Sequence, residues 1–129
     1  MRILAADGIS PKGIELLAEY EVDVREKISH EELVEIIGDY DALMVRSASK
    51  VSADVLARAE RLKIIGRAGV GVDNIDVKAA TERGIIVINS PGGNTIAATE
   101  HTMAMMLSMA RNIPAADATM HAGEWNRKA

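Results

Sequence analysis

Five short apolar runs recur along the chain, at residues 2–6, 21–25, 42–45, 63–66 and 85–89, and stretches of helical spacing separate them. Several runs are rich in Ile and Val, and the central ones lack polar alternation. That is the pattern of parallel strands covered on both faces. The stretches between them carry helix start signals. Ser10-Pro11 sets a hydroxyl acceptor before a proline at the first helical position. Ser29-His30-Glu31-Glu32 reads as a capping box ahead of Leu33, Ile36 and Ile37. Ser52 is placed to cap a helix carrying Val55, Leu56 and Ala59, and Asp76 to cap one that Gly84 stops. Five strands in strict alternation with four helices predict an α/β fold. The expected form is a flavodoxin-like, five-stranded parallel sheet with helices on both faces and right-handed crossovers.

The pattern then changes. Residues 95–112 predict one long helix of about 27 Å, with Ile96, Thr99, Met103, Met106, Leu107 and Ala110 near one face. Pro114 interrupts it, and residues 115–122 predict a second short helix. The expected division is a domain at 1–94, followed by linking helices at 95–129.

Composition narrows the classes of function. Aromatic residues are 2% of the chain, Phe is absent and the net charge is −4. Base-stacking platforms and clustered cations, on which nucleic-acid binding rests, are therefore not expected. There is no cysteine, which excludes disulfides and thiolate metal sites. No apolar stretch has the length of a signal segment or of a membrane span, so a cytoplasmic protein is expected.

Ligands of an open parallel sheet sit beyond the carboxyl ends of the strands, where strand order reverses. Asp7 and Gly8 follow the first run, Arg46 and Ser47 the third, and residues 67–71 the fourth. With strands three and four as neighbours, ~4.8 Å apart, Arg46 and Arg67 are expected to emerge together on one rim. Guanidinium grips carboxylate or phosphate with two parallel hydrogen bonds, so the pair points to an anion. The other reading is that either arginine pairs with a local acid, Asp73 or Asp7. The glycines of Gly66-Arg67-Ala68-Gly69-Val70-Gly71 are spaced GxxGxG rather than GxGxxG and follow the fourth strand. They read as an oxyanion cradle of backbone N–H groups, not a nucleotide loop. Asn94 is placed to cap the long helix, and the same position brings a helix N-terminus to the rim. His30, His101 and His121 lack metal spacing, and Met103, Met105, Met106 and Met109 read as a packing surface. No residue is assigned as catalytic or as a metal ligand.

These motifs carry a resemblance. Val45-Arg46-Ser47-Ala48-Ser49-Lys50-Val51, Ile65-Gly66-Arg67-Ala68-Gly69-Val70-Gly71-Val72-Asp73-Asn74-Ile75-Asp76 and Asn89-Ser90-Pro91-Gly92-Gly93-Asn94-Thr95 closely resemble the D-2-hydroxyacid dehydrogenase family. Ala79-Ala80-Thr81 and Gly123-Glu124-Trp125 do so as well, and Val-Arg-Ser with Gly-Arg-Ala-Gly is similar to its phosphoglycerate branch. The resemblance implies an opening substrate domain joined by long helices to a Rossmann domain that binds NAD. It implies that Arg46, Ser47 and Asn94 hold 3-phosphoglycerate, and that backbone around Ala68, Gly69, Val70 and Gly71 takes its carboxylate. Val70 would also lie against the nicotinamide side of NAD. Trp125 and Arg127 would reach the active site of a partner subunit in a homo-oligomer, which the 95–112 helix is expected to hold together. The implied reaction of the longer enzyme is oxidation of a C2 hydroxyl to a ketone by hydride transfer, toward serine. The family's GxGxxG loop and its catalytic arginine, glutamate and histidine have no counterpart in these residues, so the chain alone is expected to be inactive. Two other readings stay open: another 2-hydroxyacid dehydrogenase, or a non-enzymatic flavodoxin-like anion-binding module. A phosphoacceptor receiver would want an aspartate where Arg46 stands, and a flavin module a phosphate loop after the first strand.

Overall fold

The structure is a computed structural model that describes residues 1–125. In chain order it runs β1 (Arg2–Ala5), α1 (Pro11–Glu15), β2 (Glu21–Val24), α2 (His30–Ile36) and a 3-10 turn over Ile37–Asp39. Then follow β3 (Ala42–Val45), α3 (Ala53–Arg58), β4 (Ile64–Arg67), α4 (Val77–Glu82), β5 (Ile86–Asn89), α5 (Thr95–Ala110) and α6 (Ile113–His121). The five strands form one parallel sheet in the order β2-β1-β3-β4-β5. This is the flavodoxin-like order the alternation predicts, and its strand order reverses between β1 and β3.

Most start signals act as expected. Ser10 accepts from the Gly13 N–H, Ser29 from Glu32 and Asp76 from Ala79, while Gly84 ends α4 at φ 70. Two do not. Ser52 occupies the N-cap position of α3, yet its hydroxyl donates to the Asp54 carboxylate at 2.5 Å instead of capping. Asn94 occupies the N-cap of α5, and its side chain makes no cap bond.

Side-chain alternation divides the sheet into two faces. Leu4, Leu43, Ile65 and Val87 lie in register on one face and pack with Leu33, Ile37, Val55, Leu56 and Ala80 of the helices. Each such large side chain contributes roughly 1.5–3 kcal/mol by leaving water. On the other face, register aligns Val24, Ala5, Met44, Gly66 and Ile88 in one row. Ala5 is buried within that row, while Ile86 and Ile88 of β5 stay exposed. There α1 lies alongside, with Ile14 and Val24 lining one cleft and Gly13 and Met44 another. At the amino end of the strands, Arg2 and the Tyr40 hydroxyl both donate to Asp23 Oδ2 at 2.8 Å. The Tyr40 hydrogen bond, then Arg2, holds the Asp23 carboxyl below the usual carboxylate range.

The chain divides into two compact units, Met1–Gly93 and Asn94–Ala129. In the second, Asn112 takes a left-handed conformation (φ 51) between α5 and α6. Pro114 stands in the first turn of α6, where a missing N–H costs nothing. The apolar stripe expected of the long helix is present in α5 but is not its whole apolar surface. At about 100° per residue, Met105 and Met109 project opposite Ile96, Met103 and Leu107, and all five are exposed.

Candidate functional site

The carboxyl rim is built around the loop that follows β3. The Ala6 N–H donates to Met44 O at 2.8 Å, carrying the β1–β3 pairing up to Asp7. Asp7 stands in the left-handed region at φ 64. Its Oδ2 accepts the N–H groups of Arg46 (2.9 Å) and Ser49 (3.0 Å), and its Oδ1 accepts the Ser49 hydroxyl at 2.6 Å. From the other side, Asn74 Nδ2 donates to the carbonyls of Arg46 (2.8 Å) and Ser49 (2.7 Å). Ser49 is buried, whereas Arg46 and Ser47 are exposed.

The Asp7 carboxylate is thus engaged by backbone and hydroxyl, not by a guanidinium. Among the described residues, neither Arg46 nor Arg67 forms an ion pair, so the local-acid reading does not hold for either. Arg46 lines an open groove of about 400 Å³ together with Gly8, Ile9, Ser10, Met44 and Ala68. That volume suits a small molecule. The wall offers apolar surface from Ile9 and Met44, one hydroxyl and one unpaired cation.

Arg67 is placed differently. It is the last residue of β4, in register with Val45 and Asn89, and is not among the residues lining the groove. Its guanidinium folds over Gly69, where a Cβ would collide with it, and its Nε is buried without a hydrogen-bond partner. The groove therefore receives one arginine and not the expected pair, because strand register sends Arg67 onto the turn. At Gly71 a Cβ would meet Asp73 Oδ1 at 2.8 Å, so a side chain at either glycine would push aside the end of a flexible side chain folded against it. From the end of β5, the Ser90 N–H donates to Gly69 O (2.9 Å) and Asn89 Nδ2 to Val70 O (2.6 Å). The N–H groups of Val70 and Gly71 donate to nothing among the described residues. With its carbonyls held and its N–H groups free, the turn has the donors of an oxyanion cradle.

Asn94 opens the second unit, its carbonyl accepting the Ala98 N–H at 2.9 Å while its side chain stays free of partners. Trp125 is 74% exposed, and Arg127 lies outside the described residues. His30 pairs with Asp54 at 2.7 Å and His121 with Asp117 at 3.4 Å. Among the described residues no cluster of His, Cys, Asp and Glu could hold a metal, and no helix is long and apolar enough to cross a membrane. Sequence reasoning noted Asp7 only as a possible arginine partner and gave Asn74 no role. Their contacts span 25 to 42 residues of sequence, so no local pattern announces them.

This architecture has known counterparts. Residues 3–124 match the family described as D-isomer specific 2-hydroxyacid dehydrogenase, catalytic domain. The D-3-phosphoglycerate dehydrogenase of Archaeoglobus fulgidus is 52% identical over 99% of this chain and 25% of its own length. The chain thus spans about a quarter of the curated relatives it matches. A solved protein of Pyrococcus horikoshii superposes with a TM-score of 0.84 at 33% identity, over 99% of this chain and 39% of its own. The NAD+-bound 3-phosphoglycerate dehydrogenase of Entamoeba histolytica gives a TM-score of 0.71 at 30% identity, over 84% of this chain and 38% of its own. A match running through both the sheet and the helices that follow it identifies the chain as a member of the D-isomer specific 2-hydroxyacid dehydrogenase family.

Proposed function

We propose that this chain is the substrate-binding portion of an NAD-dependent D-3-phosphoglycerate dehydrogenase. Residues 1–94 would form its substrate domain, and 95–129 the helices leading toward an NAD-binding Rossmann domain. The observation that carries this reading is 52% identity, across 99% of the chain, to a protein of that name. The rim supplies fitting chemistry, since 3-phospho-D-glycerate is a carboxylate and a phosphate flanking a C2 hydroxyl. The free N–H groups of Val70 and Gly71, with Gly69 giving close approach, take the carboxylate. Arg46, Ser47 and Asn94 hold the rest of the molecule. Arg67 keeps the glycine turn in shape rather than touching substrate.

The reaction assigned to the longer enzyme is oxidation of that hydroxyl to the ketone of 3-phosphohydroxypyruvate, on a cytoplasmic route toward serine. Bound NAD supplies the hydride acceptor. This chain offers the cofactor the exposed side chain of Val70, an apolar contact beside the carboxylate cradle. Trp125 and Arg127 are assigned to the active site of a partner subunit. No residue of this chain is assigned as the acid or base of hydride transfer, and the chain by itself is expected to turn over no substrate.

The test is an amide-resolved titration of the chain with 3-phospho-D-glycerate. Shifts are expected at Arg46, Ser47, Gly69, Val70, Gly71 and Asn94, with affinity falling by about ten-fold or more in Arg46→Ala. Shifts confined to other regions, or unchanged affinity in Arg46→Ala, would overturn the assignment.

A further inference from the structure

Loop 46–49 presents the two side chains that the proposed function gives to the substrate, yet neither of the residues that shape it lines the groove. Among the described residues, all five side-chain hydrogen bonds to its backbone and to Ser49 come from Asp7 and Asn74, at 2.6–3.0 Å. The division of labour follows donor and acceptor type. A carboxylate only accepts, and Asp7 collects two N–H groups and one hydroxyl. A side-chain amide nitrogen only donates, and Asn74 Nδ2 collects two carbonyls. An acid at position 74 would set acceptor against acceptor, whereas an amide at position 7 keeps an oxygen for the two N–H groups and the Ser49 hydroxyl can turn to accept from its nitrogen.

Both residues are themselves anchored. Asp7 continues β1 and holds a left-handed backbone that costs most side chains energy but that aspartate tolerates. Charge-assisted hydrogen bonds, stronger than neutral ones, offset that cost. Asn74 sits where the Val51 N–H donates to its carbonyl at 2.8 Å, beside the parallel bridge between Val51 and Ile75. The arrangement therefore ties together the exits of β1, β3 and β4. With the N–H groups and carbonyls of Arg46 and Ser49 engaged, the loop has little freedom except in the side chains of Arg46 and Ser47, which are exposed.

We infer that Asp7 and Asn74 are positioning residues, fixing loop 46–49 from both sides so that Arg46 and Ser47 meet an anionic 2-hydroxy acid in the groove. This rests on the substrate reading of the rim given above. The experiment compares the wild-type chain with Asn74→Asp and Asp7→Asn, reading two quantities in each. One is affinity for 3-phospho-D-glycerate. The other is amide hydrogen exchange at Arg46 and Ser49, with Ile65 of β4 as the control for global stability. In Asn74→Asp, affinity should fall about ten-fold and exchange at Ser49 should quicken, while Ile65 keeps its protection. Asp7→Asn keeps an oxygen acceptor of the same shape and should stay within about three-fold of wild type. If Asn74→Asp loses protection at Ile65, Ser49→Ala, which deletes only the bond to Asp7 Oδ1, is read in its place with an expected loss of about three-fold.

The outcomes separate. A wild-type chain that binds the probe at Ser47, and an Asn74→Asp variant that binds it equally well, would overturn the positioning role and leave the substrate reading standing. A loss of affinity no larger than the loss of Ile65 protection accounts for would also overturn it, since the residues would then serve only the fold. A wild-type chain that shows no shift at Arg46 or Ser47 with the probe would overturn the substrate reading itself, and the positioning role with it.

Discussion

Asp54 receives the Ser52 hydroxyl on one oxygen at 2.5 Å and faces His30 Nε2 with the other at 2.7 Å, joining the first turns of α2 and α3. The Ser52 hydrogen bond first, and His30 second, lower its carboxyl from the ordinary 3.8 to about 2. A carboxyl depressed on folding adds stability that is complete above its unfolded value and is lost as pH falls through its folded one. The pH window for this contact therefore runs from about 4 down to about 2. A carboxyl-carbon titration should place the Asp54 midpoint near 2, and Ser52→Ala should move it upward. A midpoint near 3.8 in the intact chain would refute the contact. The residue scale is also where sequence reading stopped short. That Ser52 precedes a helix is visible in the sequence. That its hydroxyl turns to Asp54 rather than to a backbone N–H, while Asp54 also meets His30 from 24 residues before it, is visible only in the structure. Arg67 is the same kind of case. Its place after an apolar run suggested a ligand contact, and only strand register shows that its guanidinium lies on Gly69.

Among the elements, β3 is a central strand, with Ala42, Leu43 and Val45 buried between β1 and β4. Leu43 is 0% exposed and packs with the α2 and α3 side chains, so Leu43→Ala should cost about 2–5 kcal/mol in denaturant unfolding. Leu16, just past α1, is 78% exposed, and its alanine variant should stay within about 0.5 kcal/mol. Similar losses for the two variants would mean that the sheet's helix-covered face is not the core. The strands were legible to within a residue at each end, because strands covered on both faces read as short continuous apolar runs between helical stretches. The long helix was legible in extent but not in surface. Residues 95–112 carry both a stripe and its exceptions, Met105 and Met109, and apolar content alone does not say which side packs.

For the molecule as a whole, the second unit raises the sharpest question of solubility. Ile96, Met103, Met105, Met106, Leu107 and Met109 of α5 are each 51–75% exposed, on more than one side of the helix, and a helix apolar on several sides is normally buried. Self-association through α5 is the expected consequence. Sedimentation of the chain should show an average mass that rises with concentration, and Met106→Glu with Leu107→Glu should suppress the rise. A wild-type monomer across the whole concentration range would count against it. The alternation of strand and helix, the start signals at Ser10, Ser29 and Asp76, and the motifs around Arg46 and Gly69 were set by the sequence alone, because each depends on residues a few positions apart. Which arginine enters the groove, what holds loop 46–49, and that the sheet's second face stays open at Ile86 and Ile88 were decided only by tertiary structure. Those outcomes follow from strand register and from contacts tens of residues apart, and register is a property of the pairing of two strands that neither strand's sequence states by itself.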